Sequence, residues 1–453
     1  MTTTKGMAGG PPRGERLRRT LGVIAVAFGA TAFAVLFRGA LEWFYESSYA
    51  AKNVVDGFRT LPGWARVLTP AVGGLLAGFL VARASRSEGD GVSQVMEAVV
   101  FGRSKLSLRS TAWKALGSWI AIGSGGSIGR EGPLVQFGGS LGNYVARVSG
   151  LGRDSSRVLV AAGTAAGFAA AYNTPFAAAL FVLEVVTGVV VLDAMLPVMV
   201  AVALATLISR SIVGGGPIYG ERDFALSSPG EFIALGLLAA FCGLGAQLFM
   251  RSLSRAEKVL QASPIRQPWR AGLGGLVVGV TALHLPEVTG NGYEPLNELL
   301  DGQLAVKLVI VLFFAKAIAT IASVATGSPG GVFTPTMFLG GALGVVAAHG
   351  AGTFVAGPWS EGSYVLVGMA AMVAATTHAP LMASVMAFEL SGDYAIVLPL
   401  VFTTAIATMI SRRARTASIY TAPFVHKGIE WRVGFEGRLM AEREQASVNE
   451  PQR

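Results

Sequence analysis

Gly123-Ser124-Gly125-Gly126-Ser127-Ile128-Gly129-Arg130-Glu131-Gly132-Pro133 sets an ionisable pair among glycines, ahead of a proline, inside otherwise apolar sequence. Proline suits the first turn of a helix and disrupts its interior. Pro133 therefore predicts a helix starting near Gly132, preceded by a glycine-rich loop whose backbone N–H groups lack helical partners. Gly331-Val332-Phe333-Thr334-Pro335 predicts the same arrangement about two hundred residues later. Each stretch runs on into a second glycine group, Gly138-Gly139-Ser140-Leu141-Gly142 and Gly340-Gly341-Ala342-Leu343-Gly344. The shared pattern is G-x-x-x-P-x-x-x-x-G-G-x-L-G.

The correspondence extends in both directions. Gly163, Pro175 and Glu184 are spaced as Gly368, Pro380 and Glu389, and Gly89-Asp90-Gly91 matches Gly290-Asn291-Gly292. Offsets of 201, 202 and 205 residues, met in order, mark a duplicated chain. Membrane repeats, parallel or inverted, place a binding site at their interface near the midplane, built from interrupted helices. Two helix N-termini converging there form an anion site without a full cation. The bland reading of the glycines is close helix packing, which suits Gly138, Gly139, Gly340 and Gly341. It leaves Arg130 and Glu131 unexplained, because ionisable groups at membrane depth are costly. A mutual Arg130–Glu131 pair is the structural alternative, and neighbours at a helix start point in different directions.

Composition supports a membrane setting. Of 453 residues, 52% are hydrophobic and only 14% charged, against about 25% charged in soluble domains. The 59 glycines follow no G-X-Y period, which excludes collagen. A single cysteine, Cys242, excludes internal disulfides and cysteine metal clusters. His284, His349, His378 and His426 show no metal-ligand spacing, so neither metal nor cofactor is expected. The net charge of +9 comes from basic residues between and outside the apolar stretches, a positive-inside bias that needs no nucleic acid.

The apolar stretches are Leu21–Phe37, Val67–Val81, Val158–Ile208, Phe232–Met250, Leu304–Val324, Val365–Phe388 and Ile396–Ile410. Val158–Ile208 is long enough for two spans or for several tilted, broken helices. Broken helices are tolerated at membrane depth only where protein or a polar pathway covers the freed backbone. The expected division is a cytoplasmic tail over 1–19, a first repeat over 20–215, a second over 216–420 and a short cytoplasmic tail over 421–453. Lys5, Arg13, Arg16, Arg18 and Arg19 before Leu21–Phe37 resemble a signal peptide's charged region. That apolar core is long and followed by Arg38 and Glu42, which favours a retained first helix.

Taken together, GREGP after a glycine-rich loop, GGVFTP in the second half, Ala165–Pro175 (AAGFAAAYNTP) and Ser418-Ile419-Tyr420-Thr421 resemble the CLC chloride channel and transporter family. The likeness runs from about Ala71 to Tyr420. It implies an all-α polytopic membrane protein of two inverted-topology repeats, a homodimer with one anion pathway per subunit, and chloride or other small anions as cargo. It implies that the Glu131 carboxylate gates the pathway by occupying an anion site until protonated or displaced. It assigns anion contacts to the Asp90–Gly91 and Arg130–Gly132 segments, to the N–H groups of Val332 and Phe333, and to the Tyr420 hydroxyl. On its own terms Tyr420 reads as a packing residue.

Two departures bear on selectivity and coupling. The family's first anion motif carries a serine where this chain has Asp90. An ionised carboxylate only accepts hydrogen bonds and repels anions. Asp90 is then a protonated donor, a second acidic gate or a helix cap. Proton-coupled members carry an internal glutamate after another, whereas Leu183-Glu184-Val185 has valine at the second place. Glu184 and Glu389, as mirror positions, also fit a structural role at helix N-termini. Lys114 reads as a buried cation that raises the local potential or as a snorkelling lysine, and Lys307 and Lys316 as snorkelling.

Competing functions fall into other classes. A nucleotide loop lacks the GK[ST] ending and a βαβ context. An intramembrane hydrolase at Ser124 or Ser127 lacks a base, since no histidine precedes His284. A cation-coupled nutrient transporter leaves Glu131 without a role. Within the family, a fluoride/proton antiporter and an uncoupled channel are the alternatives, and the intact GREGP favours chloride over fluoride.

Overall fold

The computed structural model describes residues 13–84, 91–101, 106–188, 192–216, 218–220, 224, 230–352, 360–414, 417–426, 429–434 and 437–442. Helices α1 (Arg13–Tyr49), α2 (Val54–Thr60), α3 (Gly63–Arg83), α4 (Gly91–Phe101) and α5 (Leu108–Gly123) lead to the glycine-rich loop. Then come α6 (Glu131–Val148), α7 (Arg153–Tyr172), α8 (Pro175–Leu180) with a π-helical turn over Phe181–Thr187, and α9 (Leu192–Val213). The next group is α10 (Glu231–Ala262), α11 (Trp269–Ala282), a 3₁₀ turn at Pro286–Val288, α12 (Tyr293–Leu300) and α13 (Val306–Ala325). The last is α14 (Phe333–Ala351), α15 (Glu361–Thr377), α16 (Pro380–Ser391), α17 (Val397–Ala414) and α18 (Ala422–His426).

Six helical stretches among the described residues are long and apolar enough to cross a membrane. They expose large apolar side chains, such as Leu237, Phe241, Leu244 and Leu248 along α10, as a lipid-facing surface requires. Where the sequence left Val158–Ile208 open between two spans and several broken helices, the chain forms α7, α8, the π-turn and α9. Asn173 ends α7 in the left-handed region (φ 55°) and Pro175 opens α8; His378 (φ 59°) and Pro380 do the same between α15 and α16. Both residue types tolerate that backbone better than branched ones.

Glycine pairs set the helix separations. A Cβ on Gly138 would lie 2.0 Å from the Gly163 carbonyl oxygen, so α6 and α7 touch through backbone. At the corresponding place, a Cβ on Gly340 would lie 2.2 Å from the Gly368 oxygen, between α14 and α15. The acidic pair is equally reciprocal. Glu184 accepts hydrogen bonds from the N–H groups of Leu381 (3.3 Å) and Met382 (2.8 Å) at the start of α16. Glu389 accepts from Phe176 (2.9 Å) and Ala177 (2.8 Å) at the start of α8. Each carboxylate satisfies the first free amides of the other half and faces the positive end of that helix.

Lys316 departs from the snorkelling expectation. It is fully buried, and its ammonium donates to the carbonyls of Val288 (2.9 Å), Thr289 (3.3 Å) and Gly290 (2.9 Å). Three donors meet three acceptors, which keeps the charge solvated by backbone. The segment read as a bare C-terminal tail carries α18 and then an antiparallel hairpin, β1 (Ile429–Gly434) and β2 (Gly437–Glu442), with Gly434 opposite Gly437.

Candidate functional site

The two proline-marked helix starts meet at one point. α6 begins at Glu131 and α14 at Phe333. The loops ahead of them are joined by a two-residue antiparallel bridge. The Gly129 N–H donates to the Gly331 carbonyl (2.7 Å) and the Gly331 N–H to the Gly129 carbonyl (2.8 Å). Only glycine fits here, because a Cβ on either residue would come within 2.2 Å of Glu131 Oε1.

Into that gap folds the Glu131 side chain, 2% exposed. Its Oε1 accepts the Phe333 N–H at 2.8 Å. Its Oε2 accepts from Thr334 Oγ1 at 3.2 Å and from the Tyr172 hydroxyl at 3.4 Å. Tyr172 and Thr334 are themselves linked at 2.8 Å. The carboxylate thus sits on the N-terminus of α14, where free amides and the helix dipole favour negative charge. Thr334 belongs to the GGVFTP motif and Tyr172 to the AAAYNTP stretch, but neither was singled out as a site residue. A hydroxyl within a family motif, facing apolar neighbours, was the available signal.

Arg130 and Glu131 part company, and no ion pair joins them among the described residues. Glu131 and Gly132 line a cavity of about 660 Å³ together with Gly91, Lys114, Val332 and Tyr420. Arg130 lines a smaller one, about 260 Å³, with Lys52, Asn291, Tyr293 and Glu294. Gly330 and Gly331 line the first cavity, and neither lines the second. Lys114 is buried and lines the larger cavity.

The Gly91 N–H, at the first residue of α4, donates to Gln136 Oε1 (3.3 Å), and the Gln136 amide in turn donates to Gln94. Asp90 lies outside the described residues. Val332 caps α14 and lines the cavity beside Phe333. Tyr420 lines the same cavity, its ring edge-on to Phe181, while its carbonyl accepts from Ser93 Oγ (2.8 Å). Ser124 and Ser127 bond the Ala121 carbonyl (3.1 Å) and the Thr320 hydroxyl (3.1 Å), contacts that supply no general base.

Chemically, this arrangement offers one seat with neutral donors, filled by the chain's own carboxylate. A small anion has the same need for donors. The comparisons agree with the class of protein this suggests. The family model described as voltage gated chloride channel matches residues 73–412. A putative chloride channel protein ClcB-like from Ralstonia nicotianae is 36% identical over 389 residues, covering 84% of this chain and 90% of the relative. The voltage-gated ClC-type chloride channel ClcB of Escherichia coli is 33% identical over 420 residues, covering 88% and 97%. Among solved structures, a slow cyanobacterial Cl⁻/H⁺ antiporter superposes with a TM-score of 0.83 at 23% identity, covering 93% of this chain and 99% of that one. A CLC-type fluoride/proton antiporter superposes with a TM-score of 0.73, also at 23% identity, covering 89% and 96%. At that identity they speak to the fold alone. The chain belongs to the voltage-gated chloride channel, or CLC, family.

Proposed function

We propose that the protein carries chloride across a cell membrane, along a path that joins the cavity beside Glu131 to the one beside Arg130 and is gated by Glu131. The observation that carries this reading is the Glu131 carboxylate on the Phe333 amide at 2.8 Å, at a helix N-terminus that borders the larger cavity. A carboxylate and a halide compete for the same N–H donor. Protonation removes the charge that holds the side chain there, and anion entry displaces it. The names of the two curated relatives support chloride as cargo, as does the intact GREGP sequence.

Several further features belong to the same reading. The larger cavity opens to the cytoplasm and the smaller to the outside, with both termini cytoplasmic under the positive-inside rule. Residues 20–215 and 216–420 are two inverted repeats; the reciprocal caps made by Glu184 and Glu389 support this division. Two copies pair, each with its own pathway. Glu184 is occupied at the start of α16 and Val185 follows it, so protons reach Glu131 without an internal glutamate at that position.

Reconstitution into liposomes with a chloride gradient tests the proposal. Chloride efflux and pH are recorded together. The proposal expects chloride flux, with proton movement in the opposite sense if the cycle is coupled and none if it is not. Absence of chloride flux from correctly folded protein overturns it.

A further inference from the structure

The hydroxyl pair beside the gate has a proton left over. Thr334 and Tyr172 carry one hydroxyl proton each. Their mutual hydrogen bond, at 2.8 Å, uses one. The other is directed at Glu131 Oε2, at 3.2 Å from Thr334 or 3.4 Å from Tyr172. The shorter distance favours Tyr172 donating to Thr334 and Thr334 donating to the carboxylate. Such a chain is polarised along its length, which strengthens the terminal donor.

Among the described residues the two hydroxyls bond only to each other and to Glu131. Thr334 and Tyr172 are 1% and 3% exposed. The Tyr172 ring packs against Phe168 (5.0 Å) and Phe333 (5.7 Å). A hydroxyl left unpaired in such a setting carries a substantial desolvation penalty. When the Glu131 carboxylate departs, the spare proton needs another acceptor, and the arriving anion is one.

We propose, resting on the reading of Glu131 as a gate, that Thr334 is a direct anion ligand and Tyr172 the positioning residue that reinforces it. Together with the Phe333 amide they form the seat that the carboxylate and the anion occupy in turn. The ligand class is a small monovalent anion that accepts hydrogen bonds, chloride being the probe. This gives the pathway a hydroxyl donor in a chain whose residue 90 is an aspartate.

The test uses a background in which the competing carboxylate is gone. Chloride binding to the purified full-length protein is measured by calorimetry for E131A, E131A/T334V, E131A/T334S and E131A/Y172F. Valine keeps the shape of threonine without its donor. The expected result is affinity weakened about tenfold by T334V, the loss of one hydrogen bond to an ion. T334S should restore it. Y172F should weaken binding about twofold when Thr334 is present and have no further effect in a T334V background. Unchanged affinity in E131A/T334V, with monodisperse protein, overturns the assignment. Should T334V fail to fold, no effect of Y172F in monodisperse E131A/Y172F, or a tenfold loss of affinity in E131A/T334S, overturns it instead. If E131A itself binds no chloride, the gating reading fails first, and that outcome is distinct.

Discussion

At the residue scale, one acid and the donors around it make up the site. Glu131 is buried on a neutral hydrogen-bonding seat, so replacing it changes occupancy rather than architecture. E131Q should abolish any proton movement coupled to chloride while leaving chloride flux, as read by simultaneous chloride and pH electrodes. Retained coupling would remove Glu131 from the gate. The motif around Glu131 was readable beforehand because glycine, an ionisable group and proline in fixed order have few structural explanations. Thr334 and Tyr172 were not. A threonine after the phenylalanine of GGVFTP and a tyrosine before AsnThrPro look like ordinary helix residues until two segments 162 positions apart are brought within 2.8 Å. The fate of Lys316 was also hidden, since its three carbonyl partners lie at positions 288, 289 and 290 in an irregular turn. That arrangement makes a prediction. K316M removes the donor and leaves three buried carbonyls short of a partner, at about 1–3 kcal/mol for each group that stays unsatisfied. Its melting temperature in detergent should fall by several degrees, whereas K307M, nearer the start of α13, should leave it nearly unchanged.

At the element scale, helix starts and helix contacts carry the argument. Proline positions located the starts of α6 and α14 to within two residues, because proline lacks the N–H that only the first turn can do without. Close glycine contacts were expected because small residues let helix backbones approach, and their partners emerged only in three dimensions. Gly138 meets Gly163, and Gly340 meets Gly368. A G163V substitution would push side-chain atoms into the Gly138 backbone, 2.1 Å from the ideal Cβ. Overpacking of that kind costs about 1–3 kcal/mol or more; the expected readout is loss of monodisperse protein on size exclusion. The crossed caps make a separate prediction. E184Q and E389Q each replace a carboxylate at a helix N-terminus with a neutral amide, which weakens the capping hydrogen bonds by about 1 kcal/mol. Both should lower the melting temperature and leave anion preference unchanged. A change in anion preference with E184Q would instead put Glu184 on the pathway.

At the scale of the whole molecule, the duplication was legible as three ordered matches, whereas the relation of the halves in space needed coordinates. The apolar stretches indicated spans, but the breaks between α7, α8 and α9 followed local residues such as Asn173 and Pro175 that a hydropathy window averages away. The C-terminal hairpin had no counterpart in that reading, because a short polar segment reads as tail. Sidedness of the two cavities is testable with cysteine chemistry, since the only native cysteine, Cys242, is buried. A membrane-impermeant maleimide should label N297C, at the smaller cavity, from outside only, and K258C, at the larger, from inside only. Labelling of both from one side contradicts a pathway that joins opposite faces. The most direct test of the central claim is anomalous diffraction from crystals of E131A grown in bromide. A bromide peak is expected within hydrogen-bond contact of the Phe333 amide, in the space the carboxylate leaves. An empty seat in ordered crystals, with bromide bound elsewhere along the pathway, would contradict it.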